Sequence, residues 1–372
     1  MNSYFVRQKG SAILVVALLF LFAAACVTDP GAVLISMQKA GTTDDGLAYG
    51  PEDIIAVTDE GSGPEWFTFF DGSEHGLTAK HALNAFSFNE VMWFGDAAPA
   101  GPVSRDDLLY IPELYLTFRP ATIHVPGIPG RITGNDVIKY SETDPSDVGT
   151  FEVLFDGSDV GLTTAMERVD GLGFWAPETL PEPEYSETCP AGILFVTTQG
   201  VYRVPGAMGG QIVGSGFDVL LFCATNTGTD TAGYWYRVFN NRDNDWFVPG
   251  RASTSLDVIG FQLMGMNKPV PGAPPSLAPE PDLAAGIDFL FTPRVDFAIN
   301  GLPYTFETSN LYEIDSISNW PNVDFYDTWA DFNAGEDYFS SDTFPPVNGL
   351  VQSVSIWDLS LIHISEPTRR TP

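Results

Sequence analysis

The chain has 372 residues and a formal net charge of −31, because 48 Asp and Glu residues outnumber 17 Lys and Arg residues. Such a surface repels nucleic-acid phosphates and anionic lipids, so the charge excludes nucleic acid as a partner. An apolar fraction of 44% with 13% aromatic residues excludes a disordered chain and leaves room for a sizeable core.

The N-terminal stretch predicts export. Met1–Ala25 places two basic residues before an apolar run that ends in small residues, which is typical of a secretory signal peptide. Cys26 follows three alanines and resembles the lipidated cysteine of a bacterial lipoprotein. We predict a signal peptide over 1–25, lipidation at Cys26 and a tether over 26–31, with the protein at the outer membrane or cell surface. An ordinary signal that releases a periplasmic or secreted protein is the alternative.

Similar segments recur along the rest of the chain and predict a repeated unit. The first set, strand a, starts at intervals of roughly 86 to 95 residues, and a fixed period of this kind indicates a repeat architecture. Its members are Leu83–Phe88, Val169–Phe174, Leu256–Phe261 and Val351–Ile356.

Three further sets follow in the same order within each repeat. Strand b comprises Ala32–Gln38, Glu113–Gly127, Gly192–Gly206 and Gly286–Gly301, and two prolines, Pro120 and Pro293, mark a kink or an end. Strand c comprises Asp53–Val57, Asp136–Tyr140, Asp218–Phe222 and Asn310–Ile314. Strand d comprises Glu65–Phe70, Thr150–Phe155, Tyr234–Phe239 and Thr328–Phe332.

These strands are short, alternating and rich in aromatic and β-branched residues, which is typical of antiparallel sheets. The sequence therefore predicts an all-β domain over 32–358, with repeat boundaries near 80, 165, 252 and 346. About four repeats of four antiparallel strands correspond to the plan of a β-propeller. A stack of sheets that does not close is the alternative.

The end of the sequence is unlike the rest. Leu359–Arg369 resembles the translation of a sequencing-library adapter, and we predict that 359–372 is not natural and that the gene is truncated there. Further repeats would then be missing. If the natural chain ends near Asp358, the last strand a completes the first repeat and closes a ring of four.

Acidic turns follow strand d. Leu154–Leu162 reads LFDGSDVGL and has a near copy, FFDGSEHGL, at Phe69–Leu77. Clustered carboxylate and hydroxyl oxygens suit Ca²⁺, whereas Asp-Gly also forms tight turns without any ligand. The candidate calcium ligands are Asp71, Glu74, Asp156, Asp159, Asp243 and Asp245.

The segments LFDGSDVGL, VDGLGF, VYRVPG and GFDVLLF resemble a repeat of uncharacterised bacterial secreted proteins. The resemblance covers most of Ala32–Trp357 and implies a propeller-like repeat fold, with no catalytic residues to transfer. The third copy departs from the pattern, because Asn240-Asn241 replaces Asp-Gly. The fourth copy is barely recognisable.

Other polar residues are few. Cys189 precedes one predicted strand and Cys223 lies near the end of the next, so their ends meet in a hairpin and predict a disulfide. His75 and His81 flank one turn and could bind metal or move protons with Asp71 or Glu74; two exposed loop histidines are the alternative.

Two groups recur with the period and predict a structural role, since a catalytic residue would break the repeat. They are Asp53, Asp136 and Asp218 before strand c, and Asn84, Asp170, Asp257 and Gln352 within strand a. Tryptophan and tyrosine residues of strand d and nearby could stack on sugars, but their placement favours packing between repeats. They are Trp66, Trp235, Trp246, Trp329 and Tyr234.

The long, Pro-rich a–b links, such as 268–282, would emerge on one face and form either a binding face or tolerated insertions. We predict a surface binding or scaffold module for an extracellular ligand or envelope protein, attached to the membrane only by its lipid, with no catalytic set. An extracellular propeller hydrolase with calcium in its acidic turns is the alternative.

Overall fold

In the computed structural model the described residues are 32–43, 45–59, 64–88, 92–93, 108–110, 113–142, 148–177, 187–207, 209–216, 218–239, 246–247, 258–266, 287–293, 297–299, 305–306, 312–314 and 351–357. The predictions for residues 1–31, Asp243, Asp245, Asp257, 268–282, 328–332 and 359–372 lie outside them. Across the described part of the chain, no helix is long and apolar enough to cross a membrane.

The longer strands form antiparallel sheets, three with four strands and one with three. In hydrogen-bonded order, sheet 1 contains β26 (Val351–Trp357), β1 (Ala32–Met37), β4 (Ile54–Asp59) and β5 (Pro64–Phe70). Sheet 2 contains β6 (Leu83–Phe88), β9 (Glu113–Phe118), β12 (Val137–Ser141) and β13 (Thr150–Phe155). Sheet 3 contains β14 (Val169–Trp175), β15 (Ile193–Thr198), β18 (Val219–Asn226) and β19 (Ala232–Phe239). Sheet 4 contains β21 (Val258–Met266), β22 (Ile287–Pro293) and β25 (Tyr312–Ile314).

Short hairpins fill the b–c links. They pair β2 (Gly41–Thr42) with β3 (Ala48–Tyr49), β10 (Thr122–Ile123) with β11 (Ile132–Thr133), β16 (Tyr202–Pro205) with β17 (Gln211–Gly214), and β23 (Phe297–Ile299) with β24 (Thr305–Phe306). β20 (Trp246–Phe247) joins the last hairpin, and β7 (Met92–Trp93) pairs with β8 (Leu108–Tyr110) in an a–b link. Two 3-10 turns, Gly157–Val160 and Ala165–Glu167, follow β13.

The prediction of an all-β chain with antiparallel strands in groups of four is confirmed, and each sheet follows the order a to d as far as it is described. Predicted strand b divides in two. β9 ends at Phe118, and the rest of that segment forms β10 in a separate hairpin. Pro120 lies at the break, because proline cannot donate to a strand ladder. The a–b link predicted as loop contains the β7–β8 pair.

A β-bulge explains the polar residue that recurs in strand a. In β6, Leu83 faces Phe118 and Ala85 faces Thr117, so Asn84 is the extra residue. Asp170 and Gln352 are the extra residues of β14 and β26. A bulge removes one residue from the ladder and redirects its side chain. In β21 the position that corresponds to Asn84 is Asp257, outside the described residues, and the register of the described ladder shifts instead at Gly260 and Met264.

The strands a of the four sheets contact one another in a cycle. β6 contacts β14, β14 contacts β21, β21 contacts β26, and β26 contacts β6. β26 also pairs with β1 over its whole length, so that Ala32 faces Trp357 and Ile35 faces Val354. The last described strand therefore completes the sheet that the first described strand begins.

The core lies between neighbouring sheets. One apolar cluster joins sheets 1 and 2 and includes Leu34, Phe70 and Phe118. A second joins sheets 2 and 3 and includes Tyr115 and Leu220. Full burial of each large apolar side chain stabilises the fold by about 1.5–3 kcal/mol, so the packing of sheet on sheet holds the units together.

Candidate functional site

Asp71 and Asp156 hold the turns in which they lie. One carboxylate oxygen of Asp71 accepts hydrogen bonds from the backbone N–H of Ser73 (2.9 Å) and from its hydroxyl (2.7 Å). Asp156 binds Ser158 in the same way, at 3.0 and 2.6 Å. The second turn ends at Gly161, whose φ of 102° is one that glycine adopts without strain. Both carboxylates thus fit the interpretation of the motif as a tight turn.

The aspartates before strand c connect that strand to the acidic turn. Asp136 accepts hydrogen bonds from the backbone N–H groups of Thr133 (2.7 Å) and Gly157 (3.0 Å). Asp53 does the same with Gly50 (2.6 Å) and Gly72 (3.0 Å).

The surroundings of these aspartates also shift the pKa of their carboxyl groups. Burial raises the pKa of Asp53 and of Asp136, and the amide donors pull the pKa in the opposite direction. Asp218 accepts instead from Ser215 N–H (3.2 Å) and from the hydroxyl of buried Tyr202 (2.8 Å). The contacts of all three aspartates support a structural role.

Asp159 connects two sheets. Its Oδ2 accepts a hydrogen bond from the backbone N–H of Thr231 (2.9 Å), which lies in the c–d hairpin of sheet 3. The hydroxyl of Thr231 in turn accepts from Asp156 N–H (2.8 Å) and donates to Gly228 O (2.6 Å). The d–a turn that follows sheet 2 therefore contacts the c–d hairpin of sheet 3.

Metal binding at the acidic turns has limited support. Among the residues that the structure describes, no three His, Cys, Asp or Glu side chains are placed to share a metal ion. Glu74 is exposed, and Asp71, Asp156 and Asp159 serve backbone groups. Calcium binding at these four acids, and at Asp243 and Asp245 outside the described residues, stays a prediction.

The packing of His75 against sheet 2 defines the first joint, made by Phe70, His75, Tyr140, Glu142, Val148 and Phe151. The His75 ring stacks on Phe70 with centroids 4.9 Å apart and an interplanar angle of 9°. Its Nδ1 lies 2.8 Å from Val148 O and 2.7 Å from the hydroxyl of Tyr140. That hydroxyl donates to Glu142 Oε1, which lies 3.9 Å from His75 Nε2.

The second joint, made by Phe155, Val160, Phe222 and Trp235 between sheets 2 and 3, is apolar. The rings of Phe155 and Phe222 are 5.2 Å apart and those of Phe222 and Trp235 are 4.8 Å apart. The indole N–H of Trp235 donates to Val160 O at 2.8 Å. The buried indole thus has its polar group satisfied, as burial of tryptophan requires.

His75 and His81 have different partners, so the structure does not bring them together in one site. His81 is buried, with 8% of its surface exposed, which makes the prediction of two exposed histidines wrong. Its Nδ1 accepts from Thr78 N–H (2.9 Å), and its Nε2 lies 2.7 Å from His124 O. In the next repeat Glu167 occupies this place, accepting from Thr163 N–H and, across the link, from Arg203 N–H.

Glu52 is a repeat-breaking acid that the sequence interpretation missed. It is 8% exposed, and its Oε2 has no hydrogen-bond partner. Burial raises the pKa of its carboxyl, and the nearby Asp53 and Asp71 raise it further. Asn135 takes this position in the next repeat and donates to Thr164 O at 3.0 Å. Comparison of the turns GPED and TGND could have revealed the difference.

The predicted cysteine pair is joined in the structure by a disulfide, with the Cα atoms of Cys189 and Cys223 4.9 Å apart. Among the aromatic candidates, Trp66 and Trp235 are buried, whereas Tyr234 is 52% exposed. The side chains of Trp246 and Trp329 lie outside the described part.

Asn84 and Asp170 face neighbouring strands. The amide of Asn84 and the hydroxyl of Thr117 both donate to Val169 O of sheet 3, the latter at 3.0 Å. Asp170, fully buried, accepts from the Thr197 hydroxyl at 3.1 Å. These hydrogen bonds connect β6 and β9 of sheet 2 to β14 of sheet 3, and β14 to β15 within sheet 3.

The chain matches no protein-family model, no curated protein and no solved structure. Function is therefore inferred from the fold and from the contacts described above.

Proposed function

We propose that the chain is an exported, lipid-anchored surface protein whose units form a four-bladed β-propeller-like ring and serve as a binding or scaffold module. The cycle of contacts among β6, β14, β21 and β26 carries the proposal for the ring. The pairing of β26 with β1 supports it, because a last strand that completes the first sheet closes a propeller.

The contacts of the recurring polar residues support a binding or scaffold role over catalysis. Four of these carboxylates accept hydrogen bonds from backbone N–H groups of the repeats: Asp53, Asp136, Asp159 and Glu167. Carboxylates used in this way hold turns and are poor candidates for proton transfer. Recognition then falls to the a–b links, which vary in length and sequence from repeat to repeat.

A pair of truncations tests the ring. Removal of 359–372 should leave the melting temperature unchanged, because we assign these residues no place in the fold. Removal of 351–372 also deletes β26 and leaves an edge of β1 unpaired, so we expect a large loss of stability and a tendency to aggregate. Equal melting temperatures for the two truncated chains would contradict a closed ring.

A link replacement tests the binding role. The chain would be compared with a variant in which 268–282 is a Gly/Ser linker of equal length, on immobilised envelope proteins and on a panel of hydrolase substrates with and without calcium. We expect retention by an envelope protein that the replacement abolishes at unchanged melting temperature. Turnover that requires calcium would instead support the extracellular hydrolase.

The anchor is tested separately. Palmitate labelling of the wild type, with Cys26→Ala as control, should show label only in the wild type. If the wild type is not labelled, the proposal of a lipid anchor is wrong, and an ordinary signal peptide is the alternative.

A further inference from the structure

Polar residues recur in register on the strands b of sheets 1, 2 and 3. Each strand carries a buried hydroxyl residue, and two positions later, just past the end of the strand, comes a glutamine or an arginine. The hydroxyl residues are Ser36, Thr117 and Thr197, and the residues that follow the strands are Gln38, Arg119 and Gln199. Residues two apart in an extended chain point to the same side. Each strand b therefore carries polar groups from the packed interior to the end at which its b–c link begins.

Two arginines flank this end between sheets 2 and 3. Arg119 follows β9, and Arg168 directly precedes β14. The Arg168 side chain lies across Gly134, because a Cβ atom on that glycine would be 2.9 Å from Arg168 Cδ and 2.9 Å from the carbonyl oxygen of Phe118. Phe118 is the last residue of β9. The Arg168 side chain therefore passes beside the strand end that Arg119 follows.

Glutamines lie next to the two arginines. The side-chain oxygen of Gln38 accepts hydrogen bonds from both terminal nitrogens of Arg119, at 3.1 and 3.2 Å. The backbone N–H of Gln199 donates to the carbonyl oxygen of Arg168 at 2.8 Å, which places this glutamine beside Arg168. All four side chains are partly exposed. We call Gln38, Arg119, Arg168 and Gln199 the polar mouth.

The two arginines depart from the repeat. The residue before strand a is Arg168 in sheet 3 but Ala82 in sheet 2, and the place of Arg119 is taken by Gln38 and Gln199 in the neighbouring sheets. A residue that only supports the fold of each unit would recur, as the aspartates before strand c do. Two positive charges brought together once, in a chain with a formal net charge of −31, indicate a role specific to this place.

The acid nearest to Arg168 in sequence does not neutralise it. Glu167 Oε2 accepts from the backbone N–H groups of Thr163 and Thr164, and its Oε1 accepts from Arg203 N–H. Within the described part of the chain, no carboxylate forms an ion pair with Arg168. Its guanidinium is therefore available to an anion from outside.

The hydroxyl of Ser36 is a buried donor without an acceptor. Ser36 is 0% exposed, and its Oγ has no hydrogen-bond partner among the residues that the structure describes, whereas the corresponding hydroxyl of Thr117 donates to Val169 O. Leu34, two residues before Ser36, packs in the cluster between sheets 1 and 2. This side of β1 therefore faces the sheet that carries Arg119, and the unsatisfied hydroxyl lies below the polar mouth.

We propose that the polar mouth binds a small, soluble, phosphate-bearing ligand, with the guanidinium groups of Arg119 and Arg168 as its charged donors. A planar guanidinium can donate two parallel hydrogen bonds to a phosphate, and such charge-assisted bonds are strong. The amides of Gln38 and Gln199 and the hydroxyl of Ser36 add neutral donors. The acidic remainder of the chain repels polyanions, so the occupant is a compact anion. The site lies at the b–c end of the sheets and is independent of the a–b links.

Calorimetric titration of the full chain with inorganic phosphate tests the site. The wild type should bind phosphate, and Arg168→Gln and Arg119→Gln should each weaken binding by about tenfold or more, because a charge-assisted contact is lost. Arg131→Gln is the matched control, since this exposed arginine lies in the β10–β11 hairpin and contacts His124. Its affinity for phosphate should equal that of the wild type.

A wild type that does not bind phosphate would overturn the proposal, and so would arginine variants that bind it as tightly as the control does. Urea unfolding without phosphate first shows that each variant is folded. If one arginine variant does not fold, the other decides, because the two charges come from different sheets.

Ser36→Ala separates binding from support of the fold. Without phosphate its melting temperature should not fall, because the hydroxyl has no partner to lose. Its affinity for phosphate should fall by about two- to fivefold, since a neutral donor is removed. An unchanged affinity would overturn the place of this hydroxyl in the site.

A lipid headgroup offers the same phosphate chemistry as a soluble ligand. Sedimentation of the Cys26→Ala chain with vesicles that contain phosphatidic acid distinguishes the two sources. We expect the chain to stay in the supernatant, because its net charge repels an anionic surface. Cosedimentation that Arg168→Gln abolishes would assign the site to a lipid headgroup and overturn the soluble ligand.

Discussion

In the second joint, Phe155, Phe222 and Trp235 pack ring against ring, and the single polar group, the indole N–H, donates to a backbone carbonyl. The first joint uses the same plan with Phe70, Tyr140 and Phe151. There, however, His75 and Glu142 enter the interface together with the tyrosine hydroxyl.

The difference shows which features of the repeat are required. Three rings are present in both joints, so their packing is the constant part. Polar side chains enter only as a group whose members satisfy one another, because a buried polar atom without a partner costs about 1–3 kcal/mol. The following changes test this comparison, from the largest expected effect to the smallest.

Trp235→Ala should be the most damaging change. The side chain is 1% exposed, and its removal leaves a cavity and an unpaired Val160 O, so we expect a loss of about 3–5 kcal/mol in the free energy of unfolding. Phe151→Ala, at the same position of the first joint, should cost less, because Phe151 is 8% exposed and has no polar group. Urea unfolding of both variants checks the order. Equal losses would mean that the two joints contribute alike.

Asp136→Ala should cost about 2 kcal/mol, because the backbone N–H groups of Thr133 and Gly157 lose their acceptor. Asp53→Ala removes the same two bonds in the preceding repeat. We expect a smaller loss there, since Asp53 is half-buried and water can replace part of the contact. Chemical unfolding at neutral pH measures both, and a larger loss for Asp53→Ala would contradict this explanation.

Thr231→Val should cost about 1 kcal/mol, because the hydroxyl that joins Asp156 N–H to Gly228 O is lost while the shape is kept. Thr122→Val, at an exposed threonine, is the control and should be nearly neutral. If the two variants unfold at the same urea concentration, the hydroxyl does not support the contact between sheets 2 and 3.

Glu52→Asn should stabilise the protein by about 1 kcal/mol at neutral pH, since it removes a buried acid with an unpaired oxygen. The pKa of this carboxyl is raised in the folded state. The penalty of its charge is therefore present above that pKa and disappears as acid protonates the group. Thermal unfolding across a pH series should show a gain that shrinks toward acidic pH. A gain that grows toward acid would have the wrong sign.

The order of the strands could be predicted because aromatic and β-branched residues alternate in short segments that recur with one period. β6 and β13 begin and end at the predicted residues, Leu83–Phe88 and Thr150–Phe155. The bulges at Asn84 and Asp170 could not be placed, because a polar residue in a strand gives no sign of whether it pairs. The recurrence predicted only that these residues have a structural role.

The polar trio of the first joint was missed for a different reason. His75 was grouped with His81, its neighbour in sequence, whereas its partners Tyr140 and Glu142 lie in the next repeat. Local spacing carries no information on contacts between repeats. Alignment of one repeat on the next would have shown the substitutions against Phe222 and Ala224, so the signal was present in the sequence.

The pairing of β1 with β26 has a consequence for the order of synthesis. β1 is synthesised before every other described strand, and β26 follows only after almost the whole described chain. Until then β1 presents an unpaired edge, which is a template for association with other chains. Contacts between such distant segments also form slowly. We therefore expect the nascent chain to depend on chaperones until its last strand arrives.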